Sequence, residues 1–212
     1  MASKGKAKSS PKTTEKNLSS FKQGGETFKP QDTVLMRSPV AGAADFVAKI
    51  EKVQRSPTQG IKVNVSWFYR PEEANGGRKG FHGERELFSS DHTDWCDAGA
   101  INGRCKVHSL HEYQNLKQIT GSDYFNRFSY KARTGRFRPD RVPVYCCCEM
   151  PYNPDKFMVE CEQCAEWYHP ECLQLKQSAV EKGGSFVCKK CLDVSKQEMA
   201  GVSKSGKRKG RD

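Results

Sequence analysis

The chain has 212 residues, 35% of them hydrophobic, and a net charge of +11 at pH 7, a size that suits two small domains. No apolar run approaches the roughly 18 residues that read as a membrane span, and residues 1–20 are rich in Lys and Ser with no apolar centre, so neither a membrane anchor nor a secretory signal is expected. Most of the charge sits at the ends: residues 1–22 carry six Lys against Glu15, and residues 195–212 carry six Lys or Arg against Glu198 and Asp212. These tails hold +5 and +4 of the total and leave +2 for everything between, which argues against a broad basic nucleic-acid face on the folded part.

Residues 1–23 are poor in apolar side chains and read as a disordered basic tail, able to add a weak, nonspecific DNA contact. From 24 to 141 the pattern changes to short alternating runs, with strands predicted at 33–36, 46–53, 61–69, 85–88, 106–109 and 125–130. Turns are predicted at Ser38-Pro39, Ser56-Pro57, Asn75-Gly76-Gly77, Asn102-Gly103 and Thr134-Gly135. The result is a mainly β domain without an internal repeat. In the strand over 61–69, Ile61, Val63, Val65, Trp67 and Tyr69 share one face. Two readings stand for its rings: they are core, or they hold a cation beside the carboxylates of the Pro71-Glu72-Glu73 turn. Cys105, His108 and His111 pair no two cysteines at ligand spacing, and no metal is expected there.

The stretch from Tyr145 to Cys191 carries the most specific pattern. It places Cys146, Cys148, Cys161, Cys164, His169, Cys172, Cys188 and Cys191 in four close pairs. Zinc takes four tetrahedral thiolate or imidazole ligands, so four pairs imply two structural zinc ions per chain. A reducing intracellular setting favours metal over a disulfide framework, and a segment this short needs the metal to fold. Cys147, between two ligands, is read as a non-ligand. Residues Tyr145 to Cys172 hold Glu149, Asp155, Glu160, Glu162, Glu166 and Glu171 against Lys156, a balance that suits a Lys- and Arg-rich peptide and repels a phosphate backbone.

The histidine stands fifth among the eight ligands, so the segment resembles a PHD finger; in RING-type ubiquitin ligases it stands fourth. That resemblance implies interleaved sites, with Cys146, Cys148, His169 and Cys172 on one ion and Cys161, Cys164, Cys188 and Cys191 on the other. Upstream, Asp32 to Met36, Phe46 to Glu51, Trp67 to Glu73, Gly83 to His92 and Gly103 to His108 together resemble a bromo-adjacent homology (BAH) domain. A BAH domain followed at once by a PHD finger that starts Val144-Tyr145-Cys146 and continues Glu149 to Pro154 is similar to the plant BAH-PHD histone readers over roughly residues 26–192.

The resemblance implies a β-barrel-like BAH domain over 24–141, a two-zinc cross-brace PHD finger over 142–194, and a second disordered basic tail over 195–212. It implies that the BAH domain recognises trimethylated lysine-27 of histone H3 through Phe46, Trp67 and Tyr69, with His92 and Asp94 orienting the peptide. Phe46 stands where the family usually has tyrosine; the phenyl ring keeps its π-face and loses the hydroxyl. The PHD finger is expected to recognise di- or trimethylated lysine-4 of the same histone on a strand near 157–160, with Tyr145, Tyr152, Met158 and Trp167 as its cage and Phe186 as packing. The implied partners are nucleosomes and repressor or histone-modifying complexes, without a membrane. The implied role is nuclear transcriptional repression including flowering control, served by a localisation signal in the cluster from Lys204 to Arg211. The competing readings are a zinc-dependent ubiquitin ligase and a structural DNA-associated protein driven by the tails. No P-loop, nucleophile elbow or HExxH pattern points to an enzyme.

Overall fold

The computed structural model describes residues 15–194, which fall into two compact units, one of residues up to 79 with 85–140 and one of residues 80–84 with those from 141 onward. The expectations for residues 1–14 and 195–212, including the Lys204 to Arg211 cluster, lie outside the described residues.

The first unit is built on strands β1 (Lys16–Asn17), β2 (Phe21–Gln23), β3 (Glu26–Phe28), β4 (Thr33–Met36), β5 (Phe46–Ser56), β6 (Gly60–Tyr69), β7 (Glu86–Asp97), β8 (Ile101–Arg104) and β9 (Lys106–Ser109). A short helix α1 (Leu110–Gln114) and strands β10 (Asp123–Lys131) and β11 (Arg136–Arg138) complete it. Seven strands run in the order β11-β10-β7-β6-β5-β4-β8, with β1 added beside β5 and β9 beside β10. Most pairs are antiparallel; β10 runs parallel to β7 and β9, reached through a connection that contains β8, β9 and α1.

Apolar side chains pack on both faces of this sheet. One cluster joins Phe21, Phe28, Val34, Met36, Ala48, Ile50, Val53, Val63 and Val65, and another joins Val47, Leu87 and Cys105. A register shift between Ile50 and Lys52 changes the phase of β5, so that Ala48, Ile50 and Val53 all enter the first cluster where strict alternation would expel Val53.

Three expectations need correction. The disordered tail expected over 1–23 does not extend through residues 16–23: β1 pairs with β5, and Phe21 is buried against Phe28 with Leu18 packed beside them. A few apolar anchors suffice to order a segment that is polar on average. Asn102-Gly103, expected as a turn, lies within β8 and pairs with β4, with Asn102 tied to Asp45 and Arg37 through its side chain. The strand expected at 85–88 continues to Asp97, because Ser89 and Thr93 to Asp97 pair through their backbone with β6 while most of the stretch from Ser89 to Asp97 faces solvent.

Two buried polar groups stabilise the unit. Glu86, 1% exposed, takes two bonds from the Arg127 guanidinium at 2.7 and 3.0 Å. Removing one partner of such a pair strands the other charge, so Arg127→Met is expected to cost about 3 to 5 kcal/mol in chemical denaturation, with Glu86→Gln/Arg127→Met recovering most of it. Asp123 accepts from the Thr120 hydroxyl at 2.6 Å, the Thr120 amide at 3.0 Å and His108 Nε2 at 2.9 Å, which hold its carboxyl at about 2. Because the folded state lowers this value, the stabilisation is complete above the unfolded carboxyl's range near pH 4 and is lost as pH falls toward 2. Asp123→Asn is expected to remove about 2 kcal/mol of acid-dependent stability, read from denaturation midpoints between pH 2 and 5.

Candidate functional sites: an aromatic pocket and a two-metal finger

The first site arises where the β6-β7 ladder opens. Ser66 pairs with Thr93, but the next pair is Phe68 with Ser89, so Trp67 faces an arch of β7 formed by Ser90, Asp91 and His92. The gap is closed by a side chain: Ser90 Oγ donates to the Trp67 carbonyl at 2.7 Å and accepts the His92 amide at 3.1 Å. This turns His92 toward the indole, their ring centroids 6.5 Å apart.

A cavity of about 530 Å3 lies here, and its lining includes Phe46, Trp67, Tyr69, His92 and Asp94, all five residues expected for the BAH site. Phe46 stands edge-on to Trp67, with centroids 6.0 Å apart and planes at 73°. The polar edges of the rings form one chain. Trp67 Nε1 donates to Asp94 Oδ2 at 3.0 Å, His92 Nε2 meets the same oxygen at 3.0 Å, and Tyr69 Oη meets His92 Nδ1 at 2.8 Å. In the tautomer that carries its proton on Nε2, His92 donates to the carboxylate and accepts at Nδ1 from the Tyr69 hydroxyl. Burial, with Tyr130 and nearby carboxylates, pushes the Tyr69 phenol above its usual range and keeps it a donor. The rings are thus tethered at their edges, leaving π-faces for a cation. Glu73 also lines the cavity, placed by its bond from the Arg70 amide at 2.7 Å, in line with the carboxylates expected beside the rings. Met36, Arg37, Pro39, Phe68, Cys96 and Ala100 complete the lining, which strand periodicity does not announce.

The second unit comprises β12 (Val144–Tyr145), β13 (Met150–Pro151), β14 (Val159–Glu160), β15 (Trp167–Tyr168) and helix α2 (Gln177–Gly183), paired as two small hairpin-like sheets, β12-β13 and β14-β15. Its apolar cluster is small: Cys161, Tyr168 and Cys188, with Val159, Leu173 and Phe186 against them. Two donor groups flank it. Cys146, Cys148, His169 and Cys172 converge in one and Cys161, Cys164, Cys188 and Cys191 in the other, each with all ligand atoms within 4.8 Å of one another. Separations of 3.8 Å for Cys164 and Cys188, 3.9 Å for Cys161 and Cys191, and 3.5 Å for Cys148 Sγ and His169 Nδ1 decide the chemistry. A tetrahedral ion with Zn–S of roughly 2.3 Å and Zn–N of roughly 2.0 Å spaces its donors about 3.5 to 3.8 Å apart, whereas a disulfide needs about 2.05 Å. The donor sets fit two structural zinc ions. Cys147 is exposed and belongs to neither group.

A groove of about 310 Å3 brings together three of the four expected PHD cage residues, Tyr152, Met158 and Trp167, with Pro154, Asp155, Lys156 and Phe157. Tyr145 is not among its lining; it pairs with Met150 in β12-β13. Trp167 is 39% exposed while Met158 is 8% exposed, so the first offers a face and the second a floor. Trp167 stands opposite Glu160 across β14 and β15, which keeps a carboxylate beside the ring. Phe186 packs edge-on against Tyr168 at 6.0 Å, as expected of a core ring. The Asp155 and Lys156 pair was not foreseen as groove lining, since adjacent charges in a loop carry no such signal.

Metal analysis is expected to find two zinc ions per chain, with Cys147→Ser keeping both and Cys148→Ser keeping one, and a strong chelator unfolding residues 144–191 with the loss of about 10 kcal/mol or more of folding free energy. The BAH domain family matches residues 26–141 and the PHD-finger family matches residues 146–191. Chromatin remodeling protein EBS of Arabidopsis thaliana is 46% identical over 192 residues, covering 88% of this chain and 82% of that protein. Chromatin remodeling protein SHL of the same plant is 45% identical over 183 residues, covering 85% and 80%. Among solved structures, the yeast Rsc2 BAH domain overlays with a TM-score of 0.49 at 15% identity, covering 76% of this chain and 70% of that one. Identity at this level along most of both chains establishes kinship, and this zinc-binding chromatin regulator belongs to the BAH-PHD chromatin proteins.

Proposed function

We propose that this protein is a non-enzymatic nuclear reader of methylated histone H3, with one methyl-lysine site in each unit. The observation that carries the reading is the tethered aromatic pocket of Phe46, Trp67 and Tyr69, whose polar edges are engaged by His92 and Asp94 and whose faces remain for a cation. A trimethylammonium group cannot donate a hydrogen bond, and each ring face it meets contributes about 0.5 to 2 kcal/mol. Such a ligand gains from aromatic walls and loses nothing for want of an acceptor.

By family likeness we assign trimethylated lysine-27 to this pocket and di- or trimethylated lysine-4 to the groove of Tyr152, Met158 and Trp167. The acidic residues around the second site favour the Lys- and Arg-rich tail that carries both marks. The biological output, again by family likeness, is transcriptional repression, including control of flowering, through recruited repressor or histone-modifying complexes on nucleosomes.

Calorimetric titration of the full chain with H3 peptides trimethylated at either lysine-27 or lysine-4 alone tests the assignment. Trp67→Ala is expected to weaken the lysine-27 peptide by about tenfold or more and leave the lysine-4 peptide unchanged, with Trp167→Ala giving the reverse. Binding of either peptide that ignores both substitutions and instead falls steeply with salt would transfer the function to the basic tails.

A further inference from the structure

The second unit is not one continuous stretch. Residues 80–84 lie within the BAH-matching sequence, in the connection from β6 to β7, yet they cluster with the PHD finger. The attachment runs through Asn153, 5% exposed. Its amide nitrogen donates to the carbonyls of Gly80 at 3.1 Å and His82 at 3.4 Å, and its amide oxygen accepts the Asp155 N–H at 3.0 Å. Asp155 Oδ2 in turn accepts the Glu84 N–H at 2.6 Å. Two side chains of the finger therefore satisfy three backbone groups of the 80–84 segment, and one of the finger's own, in a single network.

That network ends at the aromatic groove. Asn153 sits next to Tyr152 and Pro154, and Asp155 precedes Lys156 and Phe157; all five neighbours or members other than Asn153 line the groove with Met158 and Trp167. The stretch 152–157 contains no regular strand or helix, so its shape rests on such side-chain bonds. We infer that residues 80–84 are a structural part of the PHD peptide site, and that Asn153 and Asp155 are positioning residues through which a segment of BAH sequence holds the wall of the second methyl-lysine groove. The finger's reading surface is then incomplete when residues 142–194 are taken as the whole module. This rests on the peptide-reading role proposed above for that groove, and it adds a dependence that the zinc ligands do not supply.

The test uses the full chain. Asn153→Asp keeps the size and the acceptor for Asp155 but loses both donors, placing a carboxylate against two carbonyls; replacing 80–84 by a Gly-Ser segment of equal length keeps those backbone carbonyls but frees the segment to move. Both are expected to retain two zinc ions per chain and unchanged affinity for the lysine-27 peptide, while affinity for the lysine-4 peptide falls about tenfold. Amide hydrogen exchange over 152–157 is expected to accelerate in both. Unchanged exchange there together with wild-type lysine-4 affinity overturns the inference, as does loss of zinc in parallel with binding, which would mean general unfolding of the finger. If the wild-type chain binds no lysine-4 peptide, the reading of the groove fails and exchange alone decides: acceleration confined to 152–157 upholds the positioning role, and its absence removes it.

Discussion

A backbone carbonyl that must find a donor governs the first site. Where β6 and β7 part around Trp67, the sheet loses ladder bonds, and an unpaired buried peptide group costs more than most single contacts return. Ser90 supplies the missing donor to Trp67, and with that bond made the β7 arch can stand away from the sheet. Everything that defines the pocket follows. The arch carries His92 and, one pair further on, Asp94, and these two catch the edges of Trp67 and Tyr69.

The second unit solves a different problem. Its apolar cluster is too small to order a chain of its length, and four of the cluster's members, Cys146, Cys161, Cys188 and Cys191, are themselves zinc ligands. Metal coordination and core packing are here the same residues: Cys161 and Cys188 are buried side by side with Tyr168, so loading zinc and closing the core are one event. This leaves other aromatic and sulfur side chains outside the core. Trp167 can remain 39% exposed because the fold does not need it inside.

Legibility in the sequence followed the range of the interaction. Strands 33–36 and 106–109 have the bounds that alternation predicts, and the eight ligands converge as their spacing and the fifth-position histidine imply. These are signals carried within a few residues. The strand character of Thr93 to Asp97 is not legible in the sequence because it comes from backbone pairing with β6, which leaves little apolar imprint. Leu18 and Phe21 order β1 and β2 through contacts with residues beyond 27, so a local composition average reads them as tail. The five residues expected for the BAH site come from likeness to a family; periodicity alone leaves Trp67 and Tyr69 open between core and cage. The structure shows why that ambiguity was real: Trp67 packs against the main cluster and lines the cavity at once.

The departure at Phe46 can be weighed in the same terms. Phe46 meets Trp67 edge to face and touches the main apolar cluster, while the hydrogen-bond chain of the pocket runs through Trp67, Asp94, His92 and Tyr69 without it. A tyrosine hydroxyl at this position would add a polar group beside a wall that is otherwise apolar and has its own donors engaged. Its loss therefore removes no link from the chain that sets the other rings. The cation-facing property of a ring is its quadrupole, which phenylalanine retains. The same logic separates the two kinds of residue in this pocket. Substitutions at Phe46 remove a ring face from the lining, whereas substitutions at Asp94 release two donors at once, those of Trp67 and His92, so a carboxylate governs the shape of the aromatic walls beside it.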